Sequence, residues 1–210
     1  MKIVVGIATM KGRELTLKRT IESLINQVDD IHVYNNEIEP INLTDNGKFH
    51  ALQLYSKPIY YFSCDDDLIY PSDYVSKTIE AIEKHECIVS YHGRKLLGLN
   101  RNYYKGHKAY ACLGHFPQTC EIDVPGTGVT AFRTDYFNPT EIYNSEYKKM
   151  SDLVFAHEAA IQDKKIMHIG HQGDWIKYQP IPIEQTIYGQ EHKNCEVQNK
   201  IADKIYLIKN

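Results

Sequence analysis

No stretch of this 210-residue sequence approaches the roughly 20 consecutive apolar residues that a membrane-spanning helix needs. A helical span is therefore excluded, and the sequence predicts a soluble, cytoplasmic protein. The cysteines lack a pattern as well. There are five (Cys64, Cys87, Cys112, Cys120 and Cys195), an odd number, and none stand as C-x-x-C. That excludes a disulfide framework and a zinc knuckle and fits a reducing compartment. Charge of one sign is lacking too: the formal net charge is -3, with none of the basic bias that marks a nucleic-acid binder. The one basic region, Arg94, Lys95, Arg101, Lys105 and Lys108, reads as a solvated loop; as a functional element it would be a lid over an anionic donor or acceptor. No repeat, low-complexity tract or linker divides the chain, so one domain over residues 1–210 is expected, its core drawn from a composition that is 42% apolar and 24% charged. The apolar start is interrupted by Gly6 and Thr9 and meets Lys11 with no small-residue cleavage site, which predicts a buried strand rather than a leader.

What is present alternates between strand and helix. Residues 2–8 form a near-continuous apolar, β-branched run, as in a strand covered on both faces. Leu17, Ile21, Leu24, Ile25 and Val28 recur at helical spacing, predicting an amphipathic helix over about 13–27. Residues 31–34 and 59–64 read as further strands, the first ending in the polar turn Asn35-Asn36-Glu37. After Pro71, Ser72 can cap a helix whose inner stripe is Val75, Ile79 and Ile82, and residues 87–91 form the next strand. Such alternation predicts an α/β fold with a central, mostly parallel sheet flanked by helices. Later, residues 100–120 lack periodicity and read as a long functional loop. Residues 126–132 look like a turn into a strand, and Ser151 is expected to cap a helix with Leu153, Ala156, Ala160 and Ile161 inside. Residues 165–169 form a last strand, and residues 197–207 a closing helix.

The chemistry concentrates at Asp65-Asp66-Asp67, which follow an apolar strand without a break. Ligands of open α/β sheets bind beyond the carboxyl ends of strands. Three adjacent carboxylates repel one another unless a cation relieves them, and hard oxygen donors suit Mg or Mn, which also bridge phosphates. An acidic turn opening a helix would use the same residues for purely local reasons. If the segment stays extended, Asp65 and Asp67 share a side and Asp66 faces away.

The run from Phe62 through Asp65-Asp66-Asp67 to Pro71-Ser72-Asp73-Tyr74 resembles the D-x-D region of GT-A glycosyltransferases, family-2-like members in particular. The segment Asp45-Asn46-Gly47-Lys48 is similar to the one that lies near the nucleobase and diphosphate in these enzymes. The first strand with Thr9 and Arg13, and the helix ending Ser23-Leu24-Ile25, are similar to the family's amino-terminal nucleotide half. The short length and the Lys11-Gly12-Arg13 turn are also similar to the amino-terminal glycosyltransferase domain that chloroviruses encode for capsid glycans, which would make the protein virus-encoded.

The resemblance implies a GT-A fold, with a nucleotide-sugar half over about 1–95 and an acceptor half over about 96–210. It implies a nucleotide-sugar donor, by default a UDP-sugar, and a glycan or glycoprotein acceptor. Mn2+ or Mg2+ would be held by Asp67 and Asp65, with His171 as a further ligand, and Thr9, Arg13, Asn36, Asp45, Lys48, Asp65 and Asp66 would face the donor. The family's base is an acid at a late helix start; Met150-Ser151-Asp152 matches that position with Ser151 in place of the usual first acid, so Asp152 is the candidate base. An acid in a first helical turn is also favoured by the helix dipole alone. Gly126-Thr127-Gly128 would let backbone approach the sugar, and Trp175, the only tryptophan, would stack on an acceptor or fill the core. Ala8-Thr9-Met10-Lys11-Gly12-Arg13 is not the Gly-rich loop of a nucleotidyltransferase, and Leu68-Ile69 after the aspartates does not suit a haloacid-type phosphatase. The alternative from another class is a GT-A-shaped domain that binds a nucleotide sugar or glycan without turnover. Retention of configuration would remove Asp152 from its role as base.

Overall fold

The computed structural model describes residues 1–183, 186, 187, 189 and 195–210. In chain order its elements are β1 (Lys2–Thr9), α1 (Glu14–Leu24), β2 (Asp30–Asn35), a 3-10 segment (Thr44–Leu54), β3 (Ile59–Asp65), β4 (Leu68–Ile69), α2 (Tyr74–His85), β5 (Ile88–Ser90), β6 (Gly93–Leu96) and β7 (His107–Tyr110). There follow β8 (Cys120–Ile122), β9 (Val124–Pro125), β10 (Val129–Arg133), a 3-10 turn (Ile142–Asn144), α3 (Ser151–Ile161), β11 (Ile166–His168), β12 (Lys177–Tyr178) and α4 (Glu196–Lys209).

Seven strands make the main sheet, in the order β2-β1-β3-β10-β5-β11-β8. β2, β1 and β3 pair in parallel, β5 and β11 likewise, while β10 and β8 run against their neighbours. Five strands thus share one direction. This is the mostly parallel α/β sheet that the sequence pattern predicts, and β10, from the later part of the chain, lies between β3 and β5. Val4, Val5 and Ile7 of β1 are fully buried, as expected for a strand packed on both faces. One face carries Val5, Phe62, Val89 and Ala131 against α1 and α2; the other carries Val4, Tyr61 and Phe132 against the first 3-10 segment and α3.

The 100–120 region is not one long loop. β7 folds back on β6 as an antiparallel hairpin, and β9 pairs with β6 on its other side. α4 lies on α3 through Leu153, Ala156, Ala160, Ile201, Ala202 and Ile205. Local expectations failed at helix ends. Ile161, the last residue of α3, is 63% exposed rather than inside. Asp73, not Ser72, stands before α2, and Met150, not Ser151, before α3, neither with a side-chain capping bond.

Two close approaches position the site. A Cβ on Gly6 would lie 2.0 Å from the Lys48 carbonyl oxygen, so only glycine lets the 3-10 segment lie directly on β1. Tyr61 Oη donates to that same carbonyl at 2.6 Å and fixes the contact.

Candidate active site

Parallel pairing of β1 with β3 sets Ala8 beside Asp65, so the carboxyl ends of the two strands bring Thr9 to the acidic triplet. Thr9 Oγ1 donates to Asp66 at 2.6 Å. Arg13, just before α1, reaches back with one nitrogen to Asp66 at 3.0 Å and to Asp67 at 3.3 Å. Lys48, delivered by the 3-10 segment and 4% exposed, forms an ion pair with Asp65. The triplet does not keep strand alternation: β3 ends at Asp65, the chain turns, and Arg13 meets both Asp66 and Asp67. Tyr70 Oη accepts from the Asp65 backbone N–H at 2.9 Å and donates to the Gly128 carbonyl at 2.6 Å, tying the end of β3 to the start of β10. A Cβ on Gly128 would lie 1.9 Å from an Asp65 carboxylate oxygen, which is the physical requirement for the second glycine of Gly126-Thr127-Gly128.

Burial pushes the Asp66 carboxyl up, Thr9 and Arg13 opposing. Burial, with Asp65 and Asp66 close by, lifts Asp67 to about 7 despite Arg13 and Lys48. Burial disfavours the charge on Lys48, but Asp65 and Asp45 outweigh it and hold the ammonium above its ordinary value. The triplet is therefore negative charge only partly compensated by the chain's own cations.

Asp152 stands in the first turn of α3. One of its oxygens accepts both the backbone N–H and the hydroxyl of Thr127, each at 2.8 Å; the other lies 3.5 Å from Arg94 Nη1. Arg94 in turn donates to Tyr103 Oη at 2.7 Å and sits over its ring, so the β6–β7 hairpin is fastened beside Asp152. Asp45 accepts from the Ser151 backbone N–H at 2.9 Å, satisfying one of the donors that a helix start leaves open. Ser151 itself meets the Thr127 hydroxyl at 2.8 Å. Thr44 and Lys149 both adopt positive φ, 54° and 60°, and the Lys149 N–H donates to Thr44 Oγ1 at 3.1 Å. A β-branched residue in that conformation is strained, and such strain gathers at functional sites.

Nine of the ten site residues expected from the sequence line one cavity of about 580 Å³: Thr9, Arg13, Asn36, Asp45, Lys48, Asp65, Asp66, Asp67 and Asp152. The tenth, His171, does not line it. Its ring is buried beside Tyr91, Phe116 and Trp175, with Nε2 3.2 Å from the Tyr91 carbonyl. Trp175 also stays off the cavity, half-buried against Tyr74 and Tyr91 and donating to Asp73 at 2.9 Å. Asn36 faces the cavity with its amide already used: it accepts from the N–H groups of Leu43 and Thr44 and donates to the carbonyls of Thr9 and Thr44. Its role in the fold is to shape the rim. Of the basic cluster only Arg94 lines the cavity. Sequence reasoning missed Tyr103, Tyr104, Lys149 and Gln198, which also line it; they lie in segments without periodicity or on a helix read only for its apolar face.

Among the described residues no three His, Cys, Asp or Glu side chains converge as a metal-ligand set. A dication shared with a diphosphate needs fewer, since Mg is commonly bound by one or two carboxylates plus phosphate oxygens. Asp65 and Asp67, oxygen donors in a partly compensated acidic cluster, fit that kind of site.

No family model matches the chain, and no curated protein does. It is similar to the solved structure of A197 from STIV, at 14% identity, 87% coverage of each chain and a TM-score of 0.47. A likeness at that level says nothing about activity.

Proposed function

We propose that the chain is a metal-dependent glycosyltransferase of GT-A type that moves a hexose-type sugar from a UDP donor to a hydroxyl of a glycan or glycoprotein. One observation carries the reading: the acidic triplet, Arg13 and Lys48, and a separate carboxylate, Asp152, all open on one cavity. Its volume of about 580 Å³ suits a ligand of nucleotide-sugar size.

In this reading Arg13 and Lys48 meet the diphosphate, and Asp65 and Asp67 would hold Mn2+ or Mg2+. The ion supplies charge neutralisation on the departing diphosphate. Thr127 fixes one oxygen of Asp152, leaving the oxygen beside Arg94 to accept the proton. As the acceptor oxygen bonds to the anomeric carbon, its proton passes to Asp152. The carbon–oxygen bond to the diphosphate breaks, UDP leaves, and the anomeric configuration inverts.

The test is UDP release from UDP-glucose, UDP-galactose and UDP-N-acetylglucosamine with Mn2+, with and without added glycans. Asp152→Asn should lower transfer by about 10²–10⁴-fold while UDP still binds. Release from none of the donors contradicts the enzyme reading and leaves a binding domain; a product of retained configuration removes Asp152 as base.

A further inference from the structure

α4 packs on α3 with a stripe at residues 198, 201, 202 and 205, the i, i+3, i+4, i+7 spacing of a buried helical face. Ile201, Ala202 and Ile205 are apolar, but the stripe begins with Gln198. Gln198 is 2% exposed, and its amide nitrogen has no hydrogen-bond partner among the described residues. A buried amide left unpaired is costly, and an apolar residue at the head of this seam would avoid that cost. Gln198 also lines the cavity that holds Asp152, together with Leu153 from the next position of α3 and the half-buried Tyr104. The amide side chain therefore forms part of the cavity wall, where a ligand can pair with it.

We infer that Gln198 and Tyr104 form the acceptor subsite, and that its ligand is a neutral sugar ring bearing hydroxyls rather than a peptide. This rests on the donor reading of the same cavity. An amide carries donor and acceptor side by side without charge, which matches a hydroxyl pair and gives no advantage to an anion. A tyrosine ring offers a flat apolar face with a polar edge, the surface on which a sugar ring lies. Asp152 opens on the same cavity, so a hydroxyl of the bound ring is within the space the base serves.

The experiment is saturation-transfer NMR on the whole protein with UDP and Mg2+. The probes are methyl glycosides of glucose, galactose and mannose, against a short serine peptide. UDP affinity is measured by calorimetry on the same samples. At least one glycoside should receive saturation, and Gln198→Met, which keeps the volume, should weaken its binding about tenfold, the loss of one neutral hydrogen bond. UDP affinity should stay as it was, which also reports that the variant is folded. UDP binding without any glycoside signal, a glycoside signal unchanged in Gln198→Met, or preference for the peptide would overturn the subsite and leave the donor reading standing. Failure of UDP itself to bind the unaltered protein would remove both.

Discussion

Thr127 donates twice to a single oxygen of Asp152, through its backbone N–H and its hydroxyl, each at 2.8 Å. The loop before β10 thereby orients the first-turn acid of α3. Thr127→Val keeps the N–H bond and the shape but loses the hydroxyl. Transfer should fall about tenfold with UDP affinity unchanged, as expected when one bond that orients a base is lost. Equal losses in transfer and UDP affinity would assign Thr127 to donor binding instead.

The acidic triplet makes stability depend on pH. The Asp67 carboxyl rises from 3.8 to about 7 on folding, so between those values the folded chain holds a proton that the unfolded chain has lost. Stability from this group therefore falls as pH rises through that window and is level above it. Without divalent ions the protein should melt at lower temperature at about pH 8 than at about pH 5, and Asp67→Asn should flatten the fall and melt above the unaltered protein at the higher pH. Thermal melts across pH check both; an unchanged slope in the variant would show that Asp67 does not titrate as described.

Tyr70 is a structural tie. Tyr70→Phe would leave the Asp65 N–H and the Gly128 carbonyl without their partner in a site where Tyr70 is 2% exposed. The expected cost is about 1–3 kcal/mol, read as a lower urea midpoint at unchanged slope.

Lys48 is the cation buried deepest beside the triplet. Lys48→Met should weaken UDP binding by about 1.5–3 kcal/mol, the range for hydrogen bonds to charged groups. Folding should suffer less, because the Asp65 side chain is 42% exposed and water can take it over. Calorimetry separates the two effects.

Much of this arrangement was legible because it rests on continuous patterns. β1 and β3 are apolar runs, and the triplet follows the second of them directly. What periodicity could not supply was tertiary. The β6–β7 hairpin pairs through short strands too brief to show alternation, so Arg94 read as one of a loop's charges although it reaches Asp152. Asn36 sat in a polar turn that fitted a ligand contact, and only its four bonds reveal that the turn itself consumes the amide. His171 followed a strand, as a ligand would, but the ring packs among aromatics away from the aspartates. Gln198 was hidden because a helix is read by its apolar residues, and the informative one was the exception among them.

The most direct measurement is calorimetric titration of UDP into the protein with and without Mn2+, repeated with Asp67→Ala. The account predicts binding that depends on the metal and is lost in the variant. Binding unaffected by metal and variant would contradict the diphosphate site at the triplet, and no binding under any condition would leave Asp65, Asp66 and Asp67 as a charged turn.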